Sequence, residues 1–281
     1  MAGDLHTHTT FSDGSLSAHK LVQAAGKKGL THLAVSDHDS MQSILFGYQP
    51  SSYPGLSLIP ASELTAFDVQ RNRRVHILCY YPEISSALKE FCQTMADRRN
   101  AVCHQSLREL LELYPDFDQE MAKQFCSDSG VLYKTHLIRV LYELGYTDGI
   151  YKELYKELFG SKGGKVLHNP PYESVETVLD VIRQSKGVSV LAHPTVYSSM
   201  DLAQELAQKK LIDGVEIYHP RNNPQDQQTL QQLAKDYNLI ITGGSDFHGM
   251  HSTRPVPVGQ CTTSQEQIQA IYHLAQTRKG I

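Results

Sequence analysis

Leu33-Ala34-Val35-Ser36-Asp37-His38-Asp39 is a short apolar run that closes on residues of metal-ligand type. Apolar runs of this length bounded by polar residues are strand-like. The arrangement recurs. Asp4-Leu5-His6-Thr7-His8 opens the chain, Leu56-Ser57-Leu58-Ile59 leads to Glu63, and Val75-His76-Ile77-Leu78 carries its own histidine. Val188-Ser189-Val190-Leu191 precedes His193, Gly214-Val215-Glu216-Ile217 precedes His219, and Leu239-Ile240-Ile241 precedes Ser245-Asp246-Phe247-His248. Helical spacing over 16–28, 175–184, 200–208 and 225–237 separates most of these runs. Strand followed by helix, repeated about seven times, predicts an α/β fold with mainly parallel strands, closed or doubly wound. In both forms functional side chains gather at the carboxyl ends of strands. Closure is favoured, because only a closed barrel brings ligands from nearly every strand around one centre.

The pattern changes between 88 and 167. Residues 89–113, 117–125, 136–144 and 150–159 all have helical spacing, with no strand-like run among them. This predicts a barrel formed by 1–87 and 168–281, with 88–167 as a mostly helical insertion over the substrate. Gly160-Ser161-Lys162-Gly163-Gly164 is its flexible return.

Composition narrows the function. The 281 residues are 40% hydrophobic and 20% charged, as in a globular protein. No apolar run approaches the ~20 residues of a membrane span, and no secretory apolar region stands at the start, so a cytoplasmic location is expected. The cysteines at 79, 92, 103, 126 and 261 include no C-x-x-C pair, which argues against a disulfide framework or a thiolate zinc site. A formal charge of −4 gives no global attraction to nucleic acid, so an anionic substrate needs a local cluster of cations. Histidine is the anomaly: fourteen occur, several beside Asp.

His6 and His8 are two apart on an extended segment, so both point to one face and could share a metal. Each remaining candidate has a bland alternative: Asp13 a turn residue, Ser36-Asp37-His38-Asp39 a helix cap, His76 a satisfied buried histidine, Glu63 a surface residue. Independent accidents at six successive runs, all of ligand type, are a poor explanation of the set.

Together the motifs resemble the PHP (polymerase and histidinol phosphatase) family of phosphoesterases. They are Asp4-Leu5-His6-Thr7-His8-Thr9, Ser36-Asp37-His38, Glu63-Leu64-Thr65, Val75-His76-Ile77-Leu78, Ala192-His193-Pro194 and Gly244-Ser245-Asp246-Phe247-His248. The resemblance implies a distorted (β/α)7 barrel with a trinuclear centre of divalent ions. His6, His8, Glu63 and Asp246 would hold the first, Glu63, His76 and His193 the second, and Asp13, His38 and His248 the third. Mixed imidazole and carboxylate shells suit Mn, Zn or Fe. Such ions would activate a water as hydroxide and neutralise the phosphoryl oxygens. His219 is the candidate general acid, or else a loop histidine without a chemical role.

Cations collect in the predicted insertion: Arg98, Arg99, Arg108, Lys134 and Arg139. Arg108 is expected on a solvated face. Arg98-Arg99 and Lys134-Thr135-His136 resemble phosphate-binding motifs of a PHP subgroup, the nucleoside 3′,5′-bisphosphate phosphatases and 5′-to-3′ RNA-trimming enzymes. Lys134 stands where that subgroup has Arg, and Thr135 where it has Pro. Arg98, Arg99, Lys134 and His136 are thus the expected phosphate-binding residues. The expected activity is hydrolysis of a phosphomonoester on a small metabolite, a nucleotide such as AMP or a 3′,5′-bisphosphate. Alternatives are a short-RNA 5′-to-3′ exonuclease and a non-catalytic metal- and nucleotide-binding sensor. No membrane or obligate protein partner is expected. An amidohydrolase would need a carbamate-forming Lys at a strand end, and none is found.

Overall fold

The computed structural model describes residues 2–254 and 256–281. The wall of a barrel-like sheet is made by seven strands in the order β8-β7-β6-β4-β3-β2-β1. These are β1 (Ala2–Asp4), β2 (His32–Val35), β3 (Ser57–Asp68), β4 (Arg73–Tyr80), β6 (Val188–Leu191), β7 (Gly214–Tyr218) and β8 (Ile240–Gly243). The two-residue β5 (Glu173–Ser174) pairs with β3, and β9 (Thr263–Ser264) pairs antiparallel with β1. Between them run α1 (Ala18–Lys27), α2 (Met41–Gly47), α3 (Ser86–Leu113), α4 (Gln119–Phe125), α5 (Lys134–Glu143), α6 (Glu153–Phe159), α7 (Val175–Gln184), α8 (Met200–Gln208) and α9 (Pro224–Tyr237), with α10 (Gln265–Lys279) last.

The ring is brought together past the strand ends. Leu5 N–H donates to the Gly243 carbonyl, Asp246 N–H to His6 and His8 N–H to Phe247. The segment after β8 therefore zips onto the segment after β1, where the ligand-type residues lie.

One strand departs from the expected repeat. β3 and β4 form a hairpin, and β4 is antiparallel to both β3 and β6. Its direction explains His76. Thr65 pairs with His76 and Glu63 with Leu78, so the beginning of β4 lies beside the end of β3. The expected strand-end rule fails for His76, which occupies the ligand layer because its strand runs backwards.

Alternation along the strands builds two layers inside the ring. Ile59, Ala61, Leu78, Tyr80, Val188 and Val190 form an apolar plug with Leu5. Glu63 and His76 continue the same inward faces above it. The opposite faces, including Leu64, Ala66, Ile77 and Cys79, pack against the outer helices. The plug removes water from beneath the ligand layer, and the buried Tyr80 hydroxyl donates to the Leu5 carbonyl at 2.9 Å.

The region from α3 to α6 is helical, and α3 belongs to two cores. Leu88, Phe91, Cys92 and Met95 pack on the barrel, while Cys103, Leu107 and Leu110 pack with Leu137, Leu141 and Leu158 of the following helices. α2 and α10 have no counterpart among the helices expected from spacing. In α10 the buried residues are sparse, Ile268, Ile271 and Ala275. No helix among the described residues is long and apolar enough to cross a membrane.

Candidate metal centre

His6 and His8 face inward because Thr7 between them is tied outward. Thr7 Oγ1 donates to the Ala34 carbonyl at 2.7 Å, and Thr7 N–H donates to Ser36 Oγ at 3.1 Å. Asp37 accepts from Thr9 N–H, Thr9 Oγ1 and Ser12 Oγ, which shapes the turn presenting Asp13. Asp37 thus organises the site from behind, and the alternative reading of this stretch as a helix cap does not describe it.

Glu63 is the centre of the cluster. Its Oε1 lies 2.7 Å from His76 Nδ1, 2.8 Å from His193 Nε2 and 3.3 Å from His6 Nε2. Its Oε2 lies 2.9 Å from His38 Nδ1 and 3.3 Å from His8 Nε2. Asp246 Oδ1 lies 3.2 Å from His8 Nε2 and 3.5 Å from His6 Nε2, and Asp13 Oδ1 is 3.4 Å from His248 Nε2. The structure brings all nine expected ligands together. Ligand-type atoms within 4.8 Å of one another form four overlapping sets: His6/His8/Asp246, His6/Glu63/His193, His38/Glu63/His76 and His8/Asp13/His38/His248. These cut across the expected grouping by sharing His6, His8 and His38 between neighbours.

The donor set fits divalent cations on one observation. His6 Nε2, both ring nitrogens of His8, His38 Nδ1, Glu63 Oε2 and His193 Nδ1 are buried without a hydrogen-bond partner. Each such orphan costs about 1–3 kcal/mol. Gathered within the same cluster, such orphans make sense as ligand atoms. Burial alone would raise the Glu63 carboxyl, but His76, His6 and His38 hold it well below the usual range. Asp246 is likewise raised by burial and brought well below its usual range by His6 and His248. Both remain anionic.

Backbone strain marks the same place. His193 and Asp246 have φ of 27° and 50°, in the left-handed region that non-glycine residues avoid. Hydrogen bonds hold both: His193 N–H donates to Glu216 Oε2 at 2.9 Å, and Asp246 N–H donates to the His6 carbonyl at 2.8 Å.

Glu216 is a functional residue that sequence reasoning missed. It is fully buried, and its Oε1 accepts from His6 Nδ1 at 3.0 Å, which leaves His6 Nε2 free to ligate. The available signal was a charged residue inside a strand otherwise made of Gly, Val, Ile and Tyr. Glu216→Gln is expected to weaken metal binding about 10–100-fold while the fold persists. Titrating the metal-stripped variant by calorimetry checks this, and an unchanged affinity would sink the assignment.

A cavity of about 280 Å³ opens over the cluster. Its described lining includes Asp13, His38, Glu63, His76, His193, Asp246 and His248, with the cations Arg74, Arg99, Lys134 and Arg221. Arg99 and Lys134, two of the residues expected to bind phosphate, line this cavity. Arg99 pairs with Asp39 and donates to Thr65 Oγ1 at 2.8 Å, and Lys134 donates to Asn169 Oδ1 at 3.0 Å. Arg74 was not anticipated. It sits beside His76 on β4, donates to Tyr197 at 2.8 Å and lies 5.0 Å from that ring's centroid.

Three expectations need correction. Arg98 does not line the cavity: it pairs with Glu173 at 2.8 Å and donates to the Pro171 carbonyl, so it ties α3 to the returning chain. His136 is 1% exposed, and its Nδ1 accepts from the Tyr133 N–H at 3.2 Å. Burial first, then neighbouring His251, push its pKa down to about 3, so it is a neutral capping residue and not a phosphate ligand. His219 is also absent from the described lining. Its Nδ1 accepts from Arg221 N–H, so the proton sits on Nε2, 3.3 Å from Asp246 Oδ2. A general acid must reach the leaving group; His219 instead orients Asp246. Arg108 is exposed, as expected, and Arg139 packs over Phe125.

The profile of the PHP domain matches residues 4–159. The chain belongs to the PHP family. A phosphoribosyl 1,2-cyclic phosphate 1,2-diphosphodiesterase of Eggerthella lenta is 33% identical over 256 residues, covering 91% of this chain and 97% of that protein. The 5′-3′ exoribonuclease Rnm of Escherichia coli is 32% identical, covering 87% and 84%. A metal-dependent phosphoesterase structure from Bifidobacterium adolescentis superposes with a TM-score of 0.85 at 24% identity, covering 97% and 96%, which supports the fold. As a PHP protein with this cluster, the chain is a metal-dependent phosphoesterase.

Proposed function

We propose that the chain hydrolyses a phosphoester on a small phosphorylated ribose compound, a nucleotide of the AMP or nucleoside 3′,5′-bisphosphate type. The observation that carries this reading is the set of Arg74, Arg99 and Lys134 in the same cavity as the nine-residue cluster. The phosphate to be cleaved would sit over the cluster, and the second phosphate of a bisphosphate would be held by the cations. His6, His8, Glu63 and Asp246 would hold one ion, Glu63, His76 and His193 another, and Asp13, His38 and His248 a third, with Mn, Zn and Fe all suited. When bound, such ions supply a water of lowered pKa and neutralise phosphoryl charge. The side chains of the 88–167 segment, Arg99, Tyr133 and Lys134 among them, cover the reacting group as a lid. The free cysteines suit a reducing cytoplasm.

Two related chemistries stay close to this one. The Eggerthella relative is named for action on a cyclic diester of a phosphorylated ribose, which also presents two phosphates. A short-RNA reading is favoured by an outer chamber of about 830 Å³ that shares Arg74, Lys134, Tyr155, Tyr172 and Tyr197 and adds Phe67, Phe159 and Lys156. Aromatic and basic walls are those that stack and steer single strands. Purified protein supplied with Mn is tested on p-nitrophenyl phosphate, AMP, a 3′,5′-bisphosphate, a phosphoribosyl cyclic phosphate and a 5′-phosphorylated trinucleotide. A kcat/KM for the bisphosphate at least about 10-fold above AMP is expected, since one charge-assisted contact contributes about 1.5–3 kcal/mol. Turnover of the trinucleotide alone would overturn the small-molecule reading.

Burial, with Arg74 and Arg99 nearby, pushes the Lys134 ammonium down to about 8. Its charge is present below that pH and lost above it, so kcat/KM should fall as pH rises through about 8. Lys134→Arg keeps the charge and should remove that limb, and Lys134→Ala should raise KM with metal content unchanged. A pH profile identical in wild type and Lys134→Arg counts against phosphate capture by Lys134.

A further inference from the structure

The inserted helices touch the metal cluster at the corner formed by Asp13, His38 and His248. Tyr133, the N-cap residue of α5, donates its hydroxyl to the His38 carbonyl at 3.2 Å. Asp128, in the loop before α5, accepts from Thr10 Oγ1 at 2.5 Å. His136 in the first turn of α5 accepts the Tyr133 N–H on Nδ1, so its proton must sit on Nε2. That Nε2 is buried without a partner of regular hydrogen-bond geometry, and the Ser12 backbone carbonyl is the acceptor that favours its proton.

The barrel answers with His251, which is 2% exposed. A carbonyl only accepts, so His251 Nδ1–H donates to the Asp13 carbonyl at 2.8 Å. Its Nε2 is then a bare acceptor, also buried without a partner. The two rings lie 6.4 Å apart between centroids. A donor from the lid helix and an acceptor from the barrel loop thus sit together on the turn that presents Asp13. By contrast, His6, Glu63, His76 and His193 are placed by strand pairing and by Glu216.

We propose that Tyr133, His136 and His251 are positioning residues for the Asp13/His38/His248 metal site, so that filling this site and docking the inserted helices favour each other. The inference rests on the three-site reading above. Coupling of this kind is reciprocal: whatever the docked helices add to the third ion's affinity, the ion adds to docking. The consequence is that the substrate chamber closes fully only over a complete centre. The wall strands alone would hold two ions and an open lid.

The test is metal binding, separate from turnover. Metal-stripped wild type, Tyr133→Phe, His251→Ala and His251→Asn are dialysed against graded Mn and their metal content is measured. Hydrogen exchange of the α5 amides is followed with and without Mn. Wild type should bind three ions, and Mn should slow α5 exchange. Tyr133→Phe and His251→Ala should keep two ions at wild-type affinity and bind the third about 10–100-fold more weakly, with α5 exchange insensitive to Mn. His251→Asn, whose amide can donate to the Asp13 carbonyl, should recover most of the third site. A third ion bound by the folded variants as tightly as by wild type overturns the proposal, as does loss of all three ions from a variant with wild-type circular dichroism. Fewer than three ions in wild type overturns the three-site reading itself, a result distinguishable because it needs no variant.

Discussion

Glu63→Gln is expected to lower kcat/KM on every phosphoester substrate by about a thousandfold or more, equivalent to roughly 4 kcal/mol at the transition state. The amide keeps the shape of the carboxylate and removes its charge. In the native site that charge is shared by His76, His193, His6, His38 and His8, all within 3.3 Å of one of its two oxygens. The amide nitrogen can only donate, so one of the two positions would oppose any cation placed between the imidazoles. Metal content of the same preparation should fall by at least one ion. Steady-state kinetics and elemental analysis check both halves. Activity within tenfold of wild type at full metal content would show that Glu63 is a structural acid and not the shared ligand.

The second large effect belongs to Arg99. Its guanidinium pairs with buried Asp39, donates to Thr65 Oγ1 and lies 5.2 Å from the centroid of the Tyr133 ring. It therefore joins α3, β3 and the start of α5 at the edge of the cavity. Arg99→Ala should destabilise the fold by about 3 kcal/mol, because breaking a buried ion pair strands the remaining charge. Asp39 retains the Thr65 N–H and Oγ1 donors, which keeps the loss toward the lower end of the usual range. KM should rise at the same time, since one of the cavity's cations is gone. Asp39→Asn in the Arg99→Ala background should restore much of the stability and none of the substrate affinity. Denaturant unfolding and KM measured together separate the two roles. A double variant no more stable than Arg99→Ala would mean that the pair itself contributes little.

Most of the ligand-type residues were legible because they stand in or just after an apolar run, Asp13 in its turn being the exception, and a cluster of His and Asp at run after run has few other uses. The same logic misplaced residues whose role depends on which neighbour they meet. Arg98 and Arg99 are adjacent in sequence, yet successive helical residues point about 100° apart. Arg98 meets Glu173 while Arg99 meets Asp39 and the cavity. His136 lies two residues from Lys134 and turns back to cap its own helix. His219, the candidate general acid or else a loop histidine without a chemical role, contacts Asp246 Oδ2 through its Nε2.

Period and order along the chain determined the repeated strand-helix pattern of an α/β fold and the helical stretch after β4, while the resemblance of its motifs to the PHP family grouped His6, His8, Asp13, His38, Glu63, His76, His193, Asp246 and His248. These are local properties: alternation, apolar run length and residue type are visible in any window of a dozen residues. Tertiary structure alone decided that β4 runs backwards, which puts His76 beside Glu63. It also decided that Glu216 fixes the His6 tautomer and that Arg74 supplies a cavity cation. Each of those depends on a partner from a distant strand, and a buried charge acquires its role from the group that compensates it.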